Sequence, residues 1–520
     1  MRKLPILLFL VISTLLSCSK APLPNFLFAI ADDASYPHMS AYGCEWVSTP
    51  GFDRVSTDGI LFANAYTPNA KCAPSRACIL TGRNSWQLEA AANHWPYFPP
   101  KYKTFAEVLN QHGYHVGYTQ KGYAPGIALN EDGSRRNLLV KAYNSEKLDP
   151  PTTGISKTNY FSNFEKFLAE KSDGKPFFFW YGSVEPHRGY EFKSGSRLSG
   201  KNPDLVNSVP GFWPDSDTVR HDILDYAFEL EYFDSHLVKM LELLEEIGQL
   251  DNTLVLVTAD NGMPFPRVKG QAYESSNHLP LAISWPEGIK NPGRRVTDMV
   301  SFIDFAPTVL ELAEIELEMT EMQAITGQSL TDLFYSKQNN QITEYRDYVL
   351  IGKERHDIGR PDDQGYPIRG LVKDGMLYIR NFKTDRWPSG NPETGYLNCD
   401  GSPTKSQIIN HNRNKTDLYW WKLSFGKRKA EELYDIVLDP DCINNLALHS
   451  KYQEIKRALA LQMESELKKQ KDPRIQGLGE VFDNYPYADK HRQDFYNKYM
   501  AGEKLNTGWV NSTDYEQIEN

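Results

Sequence analysis

Asn25-Phe26-Leu27-Phe28-Ala29-Ile30-Ala31, followed at once by Asp32-Asp33, is an unbroken apolar run of strand length that stops on two carboxylates. Continuous rather than alternating apolarity marks a strand covered on both faces, as in the parallel sheet of an α/β protein. Two adjacent aspartates at such an end are not core residues. A lone aspartate there would cap a helix or open a turn. A side-by-side pair is better explained by a divalent cation, and hard oxygen donors imply Ca2+ or Mg2+ rather than a soft metal.

The same pattern recurs. His115-Val116-Gly117-Tyr118-Thr119-Gln120 ends in Lys121, and Pro176 to Ser183 runs into Glu185-Pro186-His187-Arg188. Thr253 to Ala259 ends in Asp260-Asn261-Gly262. Ligands of open α/β sheets bind at the carboxyl edge of the strands, so these groups are expected to converge. Between the strands, Thr104 to Gln111, Tyr160 to Lys171 and Ser301 to Glu314 have helical composition. Val219 to Gly248 carries Ile223, Ala227, Leu230, Phe233, Leu237 and Leu241 at helical spacing, with Gly248 as its stop. Lys193 to Asp217, rich in Gly, Ser, Pro and Asn, reads as a surface excursion.

From about residue 340 the style changes. Tyr348 to Ile351, Met376 to Arg380 and Glu432 to Asp435 are strand-like, and Tyr452 to Lys471 is an amphipathic helix. The organisation read from this is an α/β catalytic domain over 22–340 and a smaller C-terminal part over 341–520, an antiparallel sheet plus helix. The tail after Asp472 should wrap back, with its last ten or so residues loosely ordered.

The 520 residues carry a net charge of −10 and no clustered basic footprint, which argues against nucleic acid as a partner. Any anionic substrate must then meet positive charge concentrated locally. Six cysteines in a chain of this length do not suggest a disulfide framework, so Cys44, Cys78, Cys399 and Cys442 are expected to be mostly buried free thiols. Met1 to Cys18 has a basic start and a short apolar run, and reads as an export signal. Its end, Leu15-Leu16-Ser17-Cys18, resembles a bacterial lipoprotein box. The expectation is cleavage before Cys18, lipidation of that residue, and a periplasmic or outer-membrane lipoprotein whose membrane contact is the anchor alone.

Lys71 to Arg83 supplies the chemistry. Pro74 biases Cys72 and Ala73 toward an extended approach that breaks into a helix near Ser75, placing a cysteine at a helix N-terminus where negative charge is favoured. Cys72-Ala73-Pro74-Ser75-Arg76 and Leu80-Thr81-Gly82-Arg83 resemble the signature of type I sulfatases. Asp260 to Pro266 and Glu185 to Arg188 look most like the sulfamidase-like branch, here in a bacterial polysaccharide sulfatase. The resemblance implies an alkaline-phosphatase-like fold, a large mixed sheet sandwiched by helices. It also implies that Cys72 is oxidised to formylglycine by a formylglycine-generating or radical maturase. Asp32, Asp33, Asp260 and Asn261 would coordinate Ca2+, in preference to Mg2+, together with an oxygen of the modified Cys72. Arg76 would hold the formylglycine hydroxyl, Lys121 and Lys269 would bind sulfate oxygens, and His187 would donate to the sulfate or the bridging oxygen. The implied substrate is a sulfated oligo- or polysaccharide, cleaved at an O-sulfate or an N-sulfate.

Two departures stand out. Lys269-Gly270-Gln271-Ala272-Tyr273-Glu274 follows the family pattern, but Ser275-Ser276-Asn277-His278-Leu279-Pro280 stands where the family commonly has two glycines and an arginine, so His278 is expected to face substrate. Many sulfatases have a histidine two residues beyond the lysine matched by Lys121; this chain has Tyr123, leaving Tyr123 or His94 as candidates for the base of sulfate release. Further candidates for sugar contact are His94 with Asn93 and Trp95, then Glu354, Arg355, His356 and Arg360, and Arg386 with Trp387. An aromatic beside arginines suits an acidic sugar. The rival readings are a phosphodiesterase or phosphonate hydrolase of the same superfamily, and a catalytically silent glycan-binding lipoprotein.

Overall fold

The computed structural model describes residues 22–516; the signal and lipidation site read from Met1 to Cys18 lie outside them. The apolar runs are strands of one seven-stranded sheet. In chain order it comprises β1 (Asn25–Ala31), β2 (Gly59–Phe62), β3 (His115–Gln120), β4 (Phe177–Gly182), β5 (Thr253–Ala259), β6 (Leu281–Ser284) and β7 (Arg294–Val296). Their spatial order is β7-β2-β6-β5-β1-β4-β3. The four runs singled out in the sequence are thus neighbours, and β5, β1, β4 and β3 are mutually parallel. β6 is antiparallel to both of its neighbours, which makes the sheet mixed.

Both faces of the central strands are buried, as their continuous apolarity requires. Phe26, Phe28 and Ile30 of β1 face one layer with Leu254 and Leu256 of β5. That layer is filled by α1 (Cys72–Thr81), α2 (Phe105–Gln111) and α5 (Phe305–Leu312), through residues such as Ile79, Leu109 and Leu310. Leu27, Ala29 and Ala31 face the other layer, filled by α3 (Tyr160–Ala169) and α4 (Asp217–Glu246) through Phe164, Phe167, Leu230 and Leu237. Caps set the helix starts. Thr104 and Glu107 form a capping box on α2, and the Ser216 hydroxyl accepts the Val219 N–H at the start of α4. Gly248, at φ +65°, follows the end of α4 as expected.

Two local expectations are corrected. Lys193 to Asp217 is not merely a surface excursion. It holds a short helix, Ser194–Ser199, and buries Val206, Phe212 and Trp213 against the α4 layer, because its aromatic and branched residues outweigh its Gly and Pro content. The helix expected near Ser75 begins at Cys72, with Lys71 as the extended residue before it. A proline in the first turn lacks only an N–H that has no intrahelical acceptor there, so Pro74 does not delay the start.

The C-terminal part contains a four-stranded antiparallel sheet, β8 (Tyr348–Lys353), β9 (Ile368–Lys373), β10 (Met376–Asn381) and β11 (Glu431–Asp435), paired in that order. α6 (Gln453–Lys469) packs Leu459, Met463 and Leu467 on Leu371, Tyr378 and Leu433. The architecture is α/β and alkaline-phosphatase-like: a large helix-covered mixed sheet beside a small antiparallel one. Arg369 of β9 pins the segment after α6, meeting Asp472 through two bonds of 2.8 and 2.9 Å and Glu354 at 2.8 Å, while Arg474 holds Glu354 at 2.6 Å. All four groups are buried. Replacing Arg369 by Met would leave the buried Asp472 carboxylate without its cation, Glu354 keeping Arg474, and should lower the unfolding free energy by about 3–5 kcal/mol in urea titrations.

The tail does wrap back: the Ala488 N–H donates to the Trp95 carbonyl at 2.7 Å. Its last described residues are not loose, however. Asp514 is fully buried against Lys405 at 3.1 Å, and the Trp509 indole donates to the Leu397 carbonyl at 2.8 Å. A buried ion pair and an aromatic anchor order a segment whose composition alone looks coil-like. Cys72, Cys78, Cys399 and Cys442 are buried free thiols and Cys44 is a half-buried one. Among the described residues no helix is long and apolar enough to cross a membrane.

Candidate active site

Four parallel strands end on one edge, and their polar termini meet there. Beyond β1, the Asp32 N–H donates to the Glu185 carbonyl at 3.0 Å and the Asp260 N–H to the Ala31 carbonyl at 3.1 Å. The Lys121 N–H donates to the Gly182 carbonyl at 3.0 Å. A Cβ on Gly182 would lie 1.9 Å from the Lys121 carbonyl oxygen, so this close approach admits only glycine. Asp33 sits at φ +76°, a left-handed conformation tolerated best by Asn and Asp among residues with side chains, and its N–H donates to Asp260 Oδ1 at 3.1 Å.

α1 delivers Cys72 to this cluster. The thiol is 3.5 Å from Asp32 Oδ1 and 3.9 Å from Asp33 Oδ1. One candidate ligand atom from each of Asp32, Asp33, Cys72 and Asp260 falls within 4.8 Å of the others. One turn further along α1, Arg76 Nε donates to Asp260 Oδ2 at 2.8 Å, and its Nη1 donates to the carbonyls of Lys121 at 2.5 Å and Gly122 at 2.9 Å. Asn261 Nδ2 donates to Asp33 Oδ1 at 2.6 Å, while Asn261 Oδ1 is buried without a partner. Lys121 is paired with Asp32, and Lys269 bridges Asp33 at 2.6 Å and Asp400 at 2.9 Å. His187 Nδ1 lies 2.7 Å from the Arg188 carbonyl, so Nδ1 carries the proton and Nε2 is turned to Asp33 Oδ2 at 3.9 Å.

Such crowding shapes protonation. Burial raises Asp32 to about 6 even though Lys121 pulls it down, with Asp260 and Asp33 adding to the rise. Burial would raise Asp260 as well, but Arg76 and Lys121 outweigh it and hold that carboxyl at about 2. Burial pushes the Cys72 thiol well above its ordinary value. Three carboxylates and an orphaned amide oxygen make a donor set suited to a hard divalent cation, so the residues present fit Ca2+.

Asp32, Cys72, Lys121, His187, Lys269 and Asp400 line a pocket of about 330 Å³ together with Lys71, His94, Trp95, Asp357 and Trp509. A larger cavity of about 520 Å³ lies elsewhere, between Tyr36, Trp46 and Trp213, but it holds none of the clustered charges. Size therefore does not choose the site; chemistry does.

Of the candidates from sequence, Asp32, Cys72, His94, Lys121, His187 and Lys269 line the pocket, with Asp33, Arg76, Asp260 and Asn261 directly behind. Several others do not reach it. His278 is held between Tyr36 and Tyr66, with Nδ1 2.6 Å from Glu274 Oε1 and Nε2 2.8 Å from the Ala63 carbonyl, so both nitrogens are engaged and it does not face substrate. Arg360 is buried and spends its guanidinium on the carbonyls of Trp387, Gln364 and Pro388. Arg386 binds Asp483 at 2.9 Å, and Trp387 packs on Trp421. Tyr123 packs edge-on against Phe98 with its hydroxyl buried and unpartnered, which removes it as a base. Glu354 belongs to the Arg369 network, Arg355 donates to the Tyr485 carbonyl, and His356 Nε2 meets Asn69 Oδ1 at 2.7 Å. Lys71, Asp357, Asp400 and Trp509 were not foreseen. Lys71 opens the quoted motif and Asp357 directly follows the flagged Glu354 to His356, so both had a neighbouring signal; Asp400 and Trp509 had none.

The family model described as Sulfatase matches residues 24–315. The human N-sulphoglucosamine sulphohydrolase is 25% identical over 478 residues, covering 84% of this chain and 89% of that protein. An ulvan-active sulfatase of Formosa agariphila is 24% identical over 464 residues, covering 83% and 72%. A solved structure in complex with its substrate D-glucosamine-2-N,6-O-disulfate superposes with a TM-score of 0.57 at 19% identity, covering 86% of this chain and 98% of its own.

Proposed function

We propose, from the premise that this chain belongs to the sulfatase family and is a sulfuric ester hydrolase, that it removes sulfate from a sulfated glycan at the pocket around Cys72. The observation that carries this is the meeting of Cys72, an acidic cluster, the cations Lys121 and Lys269, and His187 at one sheet edge. The substrates named for the human sulphohydrolase, the ulvan-active enzyme and the disulfate complex support a sulfated saccharide.

In this reading Asp32, Asp33, Asp260 and Asn261 hold Ca2+, which would supply charge neutralisation for sulfate oxygens. Formylglycine at position 72, made by a host maturase, would supply the hydrate oxygen that attacks sulfur and the hydroxyl that later expels sulfate. The protein's own groups do the rest. Lys121 and Lys269 bind sulfate oxygens and offset their charge. His187, with Nδ1–H fixed on the Arg188 carbonyl, turns Nε2 toward the bridging atom for proton transfer to it. Arg76 holds Asp260 ionised and in place. Export and lipid anchoring through Cys18 complete the proposal, on residues outside the described range.

The test is sulfate release from a panel of defined O- and N-sulfated saccharides, run beside phosphate and phosphonate esters. Turnover of a sulfated saccharide is expected; turnover of phosphate or phosphonate esters alone overturns the reading. Chelation gives an independent readout. Prolonged treatment with a strong chelator should lower both the melting temperature and the activity, with Ca2+ restoring both more fully than Mg2+. A melting curve indifferent to chelator and Ca2+ contradicts the cation site.

A further inference from the structure

His94 lines the same pocket, and its surroundings define what it can do. Its Nδ1 is 2.8 Å from Asp357 Oδ1, and the other oxygen of Asp357 is 2.8 Å from Lys71 Nζ. Lys71, Asp357 and His94 are all buried, His94 to 94%. Its backbone is fixed too, the His94 N–H donating to the Arg355 carbonyl at 2.9 Å. Burial would raise Asp357, but Lys71 and His94 outweigh it and keep it well below the usual carboxylate range. An ionised carboxylate only accepts, so Nδ1 must carry the proton. Burial also lowers His94 to about 4, against the pull of Asp357, and Lys71 and Lys269 push in the same direction as burial. The ring is therefore neutral near neutral pH, and Nε2 presents a bare lone pair. That atom is buried and has no partner.

The carboxylates that line the pocket are each held by a cation: Asp32 by Lys121, Asp400 by Lys269, Asp357 by Lys71. Cations suit the sulfate; a free lone pair does not, because sulfate oxygens have no proton to give. We propose that His94, its tautomer locked by Asp357 and Lys71, is a specificity-determining acceptor that selects substrates carrying a hydroxyl or N–H donor beside the sulfated position. A substrate lacking that donor leaves the buried Nε2 unsatisfied, which is how buried polar groups reject analogues. This inference rests on the sulfatase reading.

Two substrates separate the possibilities: the best-hydrolysed saccharide of the panel and 4-methylumbelliferyl sulfate, which has no donor beside its ester. For His94→Ala, kcat/KM on the saccharide should fall about 10- to 100-fold while turnover of the aryl sulfate stays within about threefold. His94→Gln, which restores an acceptor oxygen near the Nε2 position, should recover part of the loss. It also guards against a misfolded alanine variant, as does a melting curve of each protein. Equal losses on both substrates overturn the inference in favour of a general base or a structural role. No loss on the saccharide overturns it outright. Wild-type protein that hydrolyses neither ester overturns the sulfatase reading, and this inference with it.

Discussion

Cys72→Ala should abolish sulfate release, by on the order of 10⁴-fold or more, while the protein still folds. The thiol is 1% exposed at the start of α1, and its contacts to Asp32 and Asp33, at 3.5 and 3.9 Å, are long ones. Losing one sulfur atom from that position costs about 1 kcal/mol, too little to unfold a domain of this size. None of its neighbours in the cluster replaces it: Asp32, Asp33 and Asp260 are carboxylates paired with Lys121, Lys269 and Arg76, and those three are cations. Sulfate release and thermal unfolding measured on one preparation separate chemistry from stability. A folded variant that retained substantial turnover would remove Cys72 from the reaction.

Arg76→Ala should damage stability and activity together. Arg76 is fully buried, and its guanidinium joins Asp260 to the two carbonyls that end β3. Removing it takes the hydrogen-bonded cation from Asp260 and leaves Lys121 as the cationic neighbour beside Asp32 and Asp33. The carboxyl held at about 2 then rises, and the cluster loses charge and order that a divalent cation would need. Stranding one partner of a buried pair costs about 3–5 kcal/mol, read as a lower urea midpoint. Arg76→Lys keeps the charge but lacks the fork that reaches Asp260 and both carbonyls, so it should restore little of the loss. An alanine variant within 1 kcal/mol of wild type would contradict this role.

The four parallel strands β1, β3, β4 and β5 were legible as apolar runs; β2, β6 and β7, of four, four and three residues, are too short to show as runs. That same property put their polar ends in plain view: Asp32, Lys121, His187 and Asp260 each interrupt or follow a run in which charge is otherwise absent. Once four such strands are parallel neighbours, their ends meet without further information. β9 escaped notice because Arg369 and Gly370 break its apolar pattern, and those residues are there for a buried ion network and a close strand approach. The failures among site residues share one cause. His278, Arg360 and Arg386 look like substrate ligands by residue type, but each is consumed by carbonyls or a carboxylate of its own fold. Composition does not reveal whether a polar group is already satisfied. Asp400 and Trp509 come from loops that reach the pocket only through tertiary packing, so no local pattern announces them. His94 was visible as a residue but not as an acceptor, since its tautomer depends on Asp357, distant in sequence.

The most direct measurement is mass spectrometry of the peptide containing Cys72, taken from natively produced protein that releases sulfate from a sulfated saccharide. Formylglycine at position 72 is the expected result. An unmodified thiol there, in protein that turns over at full rate, would contradict the assignment of Cys72 as the precursor of the nucleophile.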